Sequence, residues 1–337
     1  MTRTILQERL LSVLKRFAGL RVVVVGDAIA DQFVYGAISR VSREAPVLIL
    51  RHEQTQTVPG GAANCAVNLA SLGASVSLIG VAGTDTAGRA LLEKLEHAGV
   101  DCRGLVVGDE IQTTTKVRIL AGQLHSTRQQ VIRIDYEGTP VTSDRIQSQL
   151  REHAREAAQT ADAIVISDYN YGVANAEMTD ALRTLALSKK CPALVDSRFE
   201  LSRFRGFTSA TPNETEVEQL LGDNGGPVDL EAAGERLRDD LEYRALLITR
   251  GGQGMVLLET GVEPLHIKAV GSSEPVDGTG AGDTVMATYS LALAAGASFS
   301  DAAHLANHAG GIVVMKRGTA AITAAELEHS ISSAEVS

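Results

Sequence analysis

The chain of 337 residues contains no tryptophan, and its aromatic residues amount to only 4%. Single-stranded nucleic acids are bound largely by stacking bases on aromatic side chains, so the sequence offers no such platform. Positive charge is also scarce, because 31 Lys and Arg stand against 41 Asp and Glu, a formal net charge of −10. This balance argues against a general nucleic-acid or anionic-membrane binder, while leaving room for a local basic pocket that holds a phosphorylated small molecule.

Cysteine and long apolar runs are lacking as well. Cys65, Cys102 and Cys191 lie far apart and form no C-x-x-C pair, which supports neither a disulfide framework nor a zinc knuckle. No run reaches the roughly 18 apolar residues of a membrane span. Charged residues interrupt the amphipathic stretch 1–17, so it does not read as a signal peptide. We therefore expect a cytoplasmic protein that does not bind a membrane.

Short β-branched runs alternate with helical patterns along most of the chain. The runs lie at 21–25, 76–80, 163–166, 193–195 and 245–248, and the helical patterns at 62–72, 87–97, 144–159, 175–187 and 214–221. This alternation predicts βαβ units with a mostly parallel sheet that is covered on both faces. Ligands of such folds bind beyond the carboxyl ends of the strands, which here carry polar residues such as Asp27, Asp168 and Asp196.

Two stretches break the alternation, at about 32–58 and at about 112–136. Both alternate polar and apolar residues with period two, as half-exposed antiparallel strands do. We expect them to be insertions that form a small β-sheet in a single domain spanning 1–337. A lid over the ligand crevice is the expected function of this sheet, and an added edge of the main sheet is the structural alternative.

A glycine-rich segment, Pro275-Val-Asp-Gly-Thr-Gly-Ala-Gly-Asp-Thr284, precedes a helical pattern of small residues at 285–295. Glycines before a helix let the backbone amides of Gly280, Ala281 and Gly282 converge on an anion. A carboxylate at this position competes with the anion. Its presence makes sense if Asp283 accepts the proton of a hydroxyl that attacks phosphorus. An Asp N-cap after a glycine-rich turn is the alternative. The chain has no P-loop motif, and 26–31 is not G-x-G-x-x-G.

A second glycine pair, Gly60 and Gly61, opens the helical pattern at 62–72 and is followed by Asn64. Paired glycines allow close approach of backbone to a ligand. The Asn64 amide is both donor and acceptor, which suits sugar hydroxyls. The alternative is a helix start with an incidental asparagine.

Three segments together resemble the signatures of the ribokinase-like, or PfkB, carbohydrate kinases: Gly60-Gly61-x-x-Asn64, Thr211-Pro-Asn-Glu-Thr-Glu216 and Asp277-Gly-Thr-Gly-Ala-Gly-Asp283. Their order and spacing fit the family, and the resemblance covers about residues 20–330. It implies a ribokinase-like three-layer α/β/α core with a mostly parallel sheet and a small β-sheet lid. It also implies an enzyme that transfers the γ-phosphate of ATP to a sugar hydroxyl, with Mg²⁺ and, in many members, K⁺.

The resemblance assigns roles to particular residues. Asp283 matches the catalytic base, and Gly280, Ala281 and Gly282 match the anion hole. The sugar-binding positions are Asp27, Asp31, Gly60, Gly61 and Asn64, and the nucleotide positions are Thr249, Gly251, Gly254 and Asn307. Asn213 and Glu216 match an Asn-x-x-Glu motif at the nucleotide phosphates, whose acid positions Mg²⁺ through water. Asp277 and Thr279 resemble part of the loop that binds a monovalent cation.

Within the family, the segments 35–46, 129–135, 167–169 and 211–213 are most similar to kinases that phosphorylate D-glycero-β-D-manno-heptose 7-phosphate at its C1 hydroxyl, a step toward ADP-heptose. Asp168 belongs to this set of crevice residues. A phosphorylated sugar needs additional cations, and the candidates are Lys116, Arg118, Arg133 and Arg198; each is alternatively a solvated surface charge. The family's Asp-Pro-Lys is replaced here by Asp196-Ser197-Arg198. No nucleotidyltransferase region follows, so we expect a separate adenylyltransferase as partner.

Other hypotheses remain open from the sequence. A kinase of the same family for ribose, fructose or adenosine fits the three signatures, and the departure at 196–198 favours it. A non-catalytic sugar-binding regulator on a kinase scaffold is the alternative from another class, and a dehydrogenase is a remote one. The apolar strands at 33–35 and 47–50 need a cover, which predicts a homodimer that pairs through the lid.

Overall fold

A computed structural model of the chain describes residues 4–122, 128–138, 140–221, 229–271 and 275–334. The strands in these ranges are β1 (Arg21–Gly26), β2 (Ala28–Val41), β3 (Leu48–Gly61), β4 (Ser75–Gly83), β5 (Leu105–Gly108), β6 (Thr115–Gly122), β7 (Gln129–Tyr136), β8 (Ala163–Asp168), β9 (Ala193–Ser197), β10 (Ser209–Ala210), β11 (Ala245–Thr249), β12 (Met255–Glu259) and β13 (Leu265–Ile267). The helices are α1 (Ile5–Leu14), α2 (Ala62–Ser71), α3 (Thr86–His97), α4 (Asp144–Ala158), α5 (Ala176–Lys189), α6 (Glu214–Leu221), α7 (Leu230–Asp240), α8 (Ala281–Ala294), α9 (Phe299–Val313) and α10 (Ala324–Ser333).

The larger sheet has nine strands in the order β13-β12-β11-β10-β9-β8-β1-β4-β5 over the described part of the chain. Its strands are parallel from β11 to β5, while β12 is antiparallel to both of its neighbours. In β1, Val22 and Val24 face one hydrophobic core, and Val23 and Val25 face the other. Because both faces of the strand are buried, its sequence is a continuous apolar run rather than an alternating one.

Helices cover both faces of this sheet. The first core contains side chains of α1, α2, α3, α8, α9 and α10, for example Leu69, Met286 and Leu305. The second core contains side chains of α4, α5, α6 and α7, for example Leu150 and Val217. The three-layer α/β/α core predicted from the sequence is therefore confirmed. No helix in the described ranges has both the length and the apolar content needed to cross a membrane.

The helical patterns of the sequence fall close to the observed helices. The pattern at 214–221 is α6, and the pattern at 62–72 ends one residue beyond α2. The helix after the glycine-rich segment begins at Ala281 rather than at 285, so Asp283 lies in its first turn. Helices α7, α9 and α10 and strands β5, β10, β12 and β13 are not predicted from the sequence.

The smaller sheet has four strands in the order β3-β2-β6-β7 among the residues described. β2 is antiparallel to β3 and parallel to β6, and β6 is antiparallel to β7. The first insertion extends from Ala28 to Gly61, beyond the predicted 32–58, because β2 follows β1 after a single residue and β3 leads directly into α2. The second insertion contains β6 and β7, and residues 123–127 of its predicted turn lie outside the described ranges. The smaller sheet is thus joined directly to the carboxyl end of β1.

Candidate active site

Helix α8 begins at the carboxyl edge of the larger sheet with Gly280 as its N-cap, in the left-handed region at φ 76°. A Cβ at this position would lie 2.6 Å from Nδ2 of Asn64 and 3.0 Å from Cγ2 of Thr319. Both the backbone conformation and the space therefore require glycine. The N–H of Ala281 donates to the carbonyl oxygen of Gly278 at 3.2 Å, and the helix dipole together with the remaining N–H groups of the first turn makes this end of α8 favourable for an anion.

Asp283 is buried in this first turn, with 4% of its surface exposed. Its Oδ2 accepts a 2.8 Å hydrogen bond from Nδ2 of Asn64, and its Oδ1 accepts a 3.2 Å hydrogen bond from the hydroxyl of Tyr169. The residue that caps α8 is Gly280, so the alternative interpretation of Asp283 as an N-cap is wrong. Burial, reinforced by the charge of Asp31, raises the pKa of Asp283 to about 7, although the bonds from Asn64 and Tyr169 oppose the rise. A carboxyl that titrates near neutral pH is suited to act as a general base.

Asn64 is itself fixed by a buried network. Nδ2 of Asn68 donates to Oδ1 of Asn64 at 3.1 Å, and Oδ1 of Asn68 accepts from Thr284 at 3.2 Å. Because Oδ1 of Asn64 faces Asn68, its Nδ2 is directed at Asp283. The structure thus places Asn64 against the carboxylate of Asp283, which it orients. Sequence reasoning missed Asn68 and the Tyr169 hydroxyl; the one signal for Asn68 is its position one turn after Asn64.

A cavity of about 420 Å³, which we call the polar cavity, opens beside Asp283. Its lining is formed by Ile29, Asp31, Gly61, Lys116, Arg118, Tyr169, Arg198, Asp277, Gly278, Thr279, Gly280, Asp283 and Thr319. Many residues that the sequence singles out are therefore brought together from β2, β3, β6 and α8. Asp27, Gly60, Asn64, Arg133 and Asp168 are not part of this lining.

Asp31 and Arg118 form an ion pair on the wall of the polar cavity, with side-chain exposures of only 6% and 12%. The register of β2 and β6 places Lys116 opposite Asp31, and Phe33 opposite Arg118. The Arg118 guanidinium lies over the Phe33 ring, 5.5 Å from its centroid. Gly60 contributes space rather than a contact surface, since a Cβ there would lie 2.5 Å from Oδ2 of Asp31.

Asp27 holds the loop that follows β8. Its Oδ2 accepts hydrogen bonds from the backbone N–H groups of Tyr169 at 2.7 Å and Tyr171 at 3.2 Å. Burial raises the pKa of Asp27 to about 6, against the effect of these two bonds. Its buried Oδ1 has no partner among the described atoms. Asp27 therefore positions Tyr169, which in turn contacts Asp283.

Asp168 and Arg133 are engaged elsewhere. Oδ2 of Asp168 accepts a 2.8 Å hydrogen bond from the hydroxyl of Ser197, which ties β8 to β9. Nε of Arg133 donates to Oδ1 of Asp135 at 2.7 Å on the exposed strand β7. The structure thus gives both side chains a protein partner outside the lining of the polar cavity.

A second cavity, of about 280 Å³, lies on the other side of the α8 N-terminus and is called the glycine-lined cavity. Its lining is formed by Thr249, Gly251, Gly252, Gly254, Met255, Ala269, Val270, Pro275, Gly278, Ala281, Gly282, Val285, Asn307, Gly310, Gly311 and Val314. All four predicted nucleotide positions are among them. Apolar walls with a few polar groups suit a flat aromatic ring such as a purine. Gly278 lines both cavities, so they meet at the start of α8.

Asn213 and Glu216 form a reciprocal cap at the start of α6. The backbone N–H of Asn213 donates to Oε2 of Glu216 at 2.8 Å, and the N–H of Glu216 donates to Oδ1 of Asn213 at 2.9 Å. The Asn-x-x-Glu motif therefore has a structural role of its own. Both residues also line an outer cavity of about 410 Å³, together with Arg198, Thr249 and Arg250 among others.

The carboxylates near this outer cavity are compatible with a divalent cation. Burial raises the pKa of Asp196, and the charges of Asp283 and Glu216 raise it further. Burial also raises the pKa of Glu216. Within the described ranges no three acidic, His or Cys side chains form a closed metal cage. A cation held by few protein oxygens, with water and phosphate completing its shell, fits Mg²⁺.

Asp277 fastens the loop that precedes α8. Its Oδ1 accepts from the N–H of Thr279 at 2.9 Å, and its Oδ2 accepts from the N–H of Gly318 at 2.8 Å. The loop before α8 and the turn before α10 are thereby joined at the wall of the polar cavity. Carboxylate oxygens retain further lone pairs in this arrangement, so a cation at Asp277 and Thr279 remains a prediction.

Comparison with known proteins agrees with this geometry. The model of the pfkB family carbohydrate kinases matches residues 20–325. The bifunctional protein HldE of Hahella chejuensis is 41% identical over 323 residues, which cover 94% of this chain and 65% of that protein. HldE of Yersinia enterocolitica is 41% identical over 312 residues, which cover 92% and 63%. The chain thus spans slightly less than two thirds of the length of these curated relatives.

Solved structures share the fold. Arabidopsis thaliana ribokinase complexed with ribose and ATP superposes with a TM-score of 0.71 at 21% identity, covering 93% of this chain and 99% of that one. Escherichia coli phosphofructokinase-2 in complex with substrates and products gives 0.74 at 19% identity, covering 93% and 98%. The ribokinase-like fold expected from the sequence is confirmed.

Proposed function

We propose that this chain, which belongs to the pfkB family of carbohydrate kinases, transfers the γ-phosphoryl group of ATP to the C1 hydroxyl of D-glycero-β-D-manno-heptose 7-phosphate. The observation that carries the proposal is the position of Asp283. A single buried carboxylate, with a pKa raised to about 7, lies at the start of α8 where the polar cavity and the glycine-lined cavity meet. This is the arrangement that proton abstraction from an acceptor hydroxyl and phosphoryl transfer require.

The chain's own residues have separate tasks in the reaction. Asp283 accepts the proton of the acceptor hydroxyl as its oxygen attacks the γ-phosphorus, and Asn64 and Tyr169 hold the carboxylate in place. The amides of Gly280, Ala281 and Gly282 stabilise the negative charge of the transferring group at the helix N-terminus. Preorganised donors of this kind act without reorganisation at the moment of reaction, which is the main source of catalysis in phosphoryl transfer.

The nucleotide is assigned to the glycine-lined cavity, with its phosphates directed toward α8. Thr249, Gly251 and Gly254 contact it, and so does Asn307, whose Nδ2 donates to the Lys268 carbonyl at 2.8 Å. Bound Mg²⁺ neutralises charge on the phosphates, and Glu216 is the carboxylate that positions it through water. A K⁺ ion at Asp277 and Thr279 is part of the same proposal.

Charge in the polar cavity supports a phosphorylated acceptor. Lys116, Arg118 and Arg198 all line it, whereas Asp31 and Asp283 supply negative charge for hydroxyl groups. Among the segments that resemble heptose kinases, 35–46 and 129–135 overlap the smaller sheet, which supplies Lys116 and Arg118 to this cavity, and 167–169 includes Tyr169, which lines it. Identity of about 41% to HldE proteins over more than nine tenths of the chain supports the heptose kinases rather than another branch of the family.

A panel of acceptors tests the substrate. ATP consumption with Mg²⁺ and K⁺ is measured for D-glycero-D-manno-heptose 7-phosphate, sedoheptulose 7-phosphate, ribose, fructose and adenosine. We expect selective turnover of the manno-heptose phosphate, which Asp283→Asn lowers by several orders of magnitude. Preferred turnover of an unphosphorylated sugar or of adenosine would reject the heptose phosphate and leave the kinase mechanism intact. Nucleotide binding without turnover of any acceptor would instead favour a sugar-binding regulator.

The product of the proposed reaction must be used by a second enzyme activity, and the substrates indicate where in the cell the reaction occurs. A sugar 1-phosphate product requires an adenylyltransferase activity to become an ADP-sugar, so we expect such an activity to act on the product of this kinase. ATP and sugar phosphates are cytoplasmic metabolites, so the reaction belongs to the cytoplasm.

We also propose a homodimer that forms through the smaller sheet, because Ile132 and Ile134 on the edge strand β7 are 52% and 39% exposed.

A further inference from the structure

The four basic residues that are candidates for an anionic group are not equivalent in the structure. Arg118 is committed to Asp31, and Arg133 is committed to Asp135. Lys116 and Arg198 have no carboxylate within ion-pair distance in the described part of the chain. Of the four candidate cations, two are thus neutralised by protein carboxylates in the described part of the chain, and two are not.

Lys116 is the more unusual of the unpaired cations, because it is only 7% exposed. Its ammonium lies 4.8 Å from the centroid of the Tyr169 ring and lines the polar cavity. Burial lowers the pKa of Lys116, and the charges of Arg198 and Arg133 lower it further, while the more distant charges of Asp31 and Asp135 oppose the shift without forming an ion pair. A buried ammonium without an anionic partner is costly, so a residue in this state indicates an anion that binds from the cavity.

Arg198 lines the same cavity but comes from a different sheet. It follows β9 in the larger sheet, whereas Lys116 lies on β6 in the smaller sheet. Its side chain is exposed, lies over the Phe199 ring at 5.7 Å, and lines both the polar cavity and the outer cavity. The exposed guanidinium can therefore swing toward an anion that Lys116 holds, with no ion pair to break.

We propose that Lys116 and Arg198 bind the phosphate group that the acceptor already carries, and that they select phosphorylated over free sugars. The inference rests on the proposed function and deepens it by naming the residues that recognise the substrate's charge. Arg118 and Arg133 do not share this role, because each already has a carboxylate partner. The ion pair of Arg118 instead fixes Asp31 for the sugar hydroxyls.

The acceptor's own phosphate is favoured over the transferring phosphoryl group as the occupant. Lys116 lines the polar cavity but not the glycine-lined cavity, in which the nucleotide is assigned. The transferring group already has the amides of the α8 first turn as donors. The unpaired ammonium is therefore available to a second anion on the acceptor side.

The test combines one substitution in the protein with the removal of the phosphate group from the acceptor sugar. Wild type and Lys116→Met are assayed with D-glycero-D-manno-heptose 7-phosphate and with the same heptose lacking the phosphate. We expect Lys116→Met to lower kcat/KM for the phosphorylated sugar about 10- to 100-fold, mainly through KM, as expected for one hydrogen bond between charged groups. For the free heptose we expect a change of less than about threefold, since the contact does not exist there. Arg198→Gln should show the same pattern with a smaller loss.

Two controls accompany these variants. Lys94→Met replaces an exposed lysine on α3 and should change neither acceptor. Arg133→Gln removes a cation that is already paired and should affect the phosphorylated sugar much less than Lys116→Met. Calorimetric binding of the two heptoses without ATP provides a readout that does not depend on turnover, and the phosphorylated sugar should lose affinity selectively.

The outcomes separate this inference from the proposed function. Equal losses of kcat with both acceptors would assign Lys116 to the transferring phosphoryl group and overturn the inference. Equal losses of binding together with a lower melting temperature would assign it a structural role and also overturn it. If the wild type is active and Lys116→Met has the same kcat/KM for the phosphorylated heptose, the inference is overturned and the proposed function is not. If the wild type neither binds nor phosphorylates the sugar phosphate, the proposed substrate is overturned.

Discussion

Asn64 donates a 2.8 Å hydrogen bond from Nδ2 to Oδ2 of Asp283, although 219 positions separate the two residues in the chain. The same amide lies 3.4 Å from the carbonyl oxygen of Gly280, the N-cap of α8. Helix α2 begins directly after β3 of the smaller sheet, and α8 begins after the glycine-rich loop. The bond therefore couples the end of the smaller sheet to the position of Asp283 in the polar cavity.

Loss of this bond should shift the pH dependence of activity. The amide of Asn64 stabilises the charged carboxylate, so Asn64→Leu should raise the pKa of Asp283 further above about 7. Because the base must be deprotonated to act, the rising limb of kcat/KM against pH should move to higher pH. At pH 7 we expect kcat/KM to fall about 10- to 100-fold, the range for one positioned catalytic contact. An unshifted limb would contradict the assignment of Asp283 as base.

Tyr169→Phe removes the donor to the other carboxylate oxygen and keeps the ring. The bond is longer, at 3.2 Å, so the shift of the rising limb should have the same direction as in Asn64→Leu and be smaller. The ring still packs beneath Lys116, and we expect an unchanged melting temperature. A shift to lower pH in the profile of kcat/KM would show that the hydroxyl does not stabilise the carboxylate.

Replacement of the base should stabilise the protein in a pH-dependent way. The pKa of Asp283 in the fold is about 7, above its ordinary value of 3.8, so the stability associated with the protonated carboxyl is lost as pH rises through 7. Asp283→Asn is neutral at every pH and avoids this loss. The melting temperature of the variant should exceed that of wild type by more at pH 8 than at pH 5, while its activity is abolished. Equal differences at both pH values in thermal unfolding would contradict the raised pKa.

Two glycines at the start of α8 should respond differently to alanine. Gly280→Ala places a Cβ 2.6 Å from Nδ2 of Asn64 at φ 76°, so it should lower both melting temperature and kcat. The added methyl group at Gly278 meets no protein atom within 4 Å, and Gly278→Ala should unfold like wild type. Differential scanning calorimetry of both variants tests this contrast. Equal melting temperatures for the two would contradict the close approach of α2 and α8.

Disruption of the apolar strand β7 should produce monomers. Ile132 and Ile134 face the same side of the strand, since they are two residues apart, and both are exposed. Ile132→Glu combined with Ile134→Glu should convert the proposed dimer to a monomer in size-exclusion chromatography with light scattering. The secondary structure should be unchanged by circular dichroism. A wild-type monomer at micromolar concentration would reject the dimer.

Local patterns in the sequence were sufficient for much of the fold. The apolar run at 21–25 predicts a buried parallel strand, and the apolar periodicity at 214–221 predicts α6, because both depend on residues that are neighbours in the chain. Strands β12 and β13 were missed, since short antiparallel strands at a sheet edge carry little periodicity. The glycine-rich segment before Asp283 likewise indicated an anion site, because the conformational freedom of glycine is a local property.

The sequence by itself therefore determined the fold class, and it singled out Asp283 as the proposed base and four basic residues as candidates for the acceptor's phosphate. Only the tertiary structure decided which of those residues are available, because ion pairs such as Arg118 with Asp31 join positions that are distant in the chain. It also decided that Asp27 holds the loop of Tyr169 and that Asn64 faces Asp283. Hydrogen bonds and burial across elements are set by how strands and helices pack, which no local pattern records.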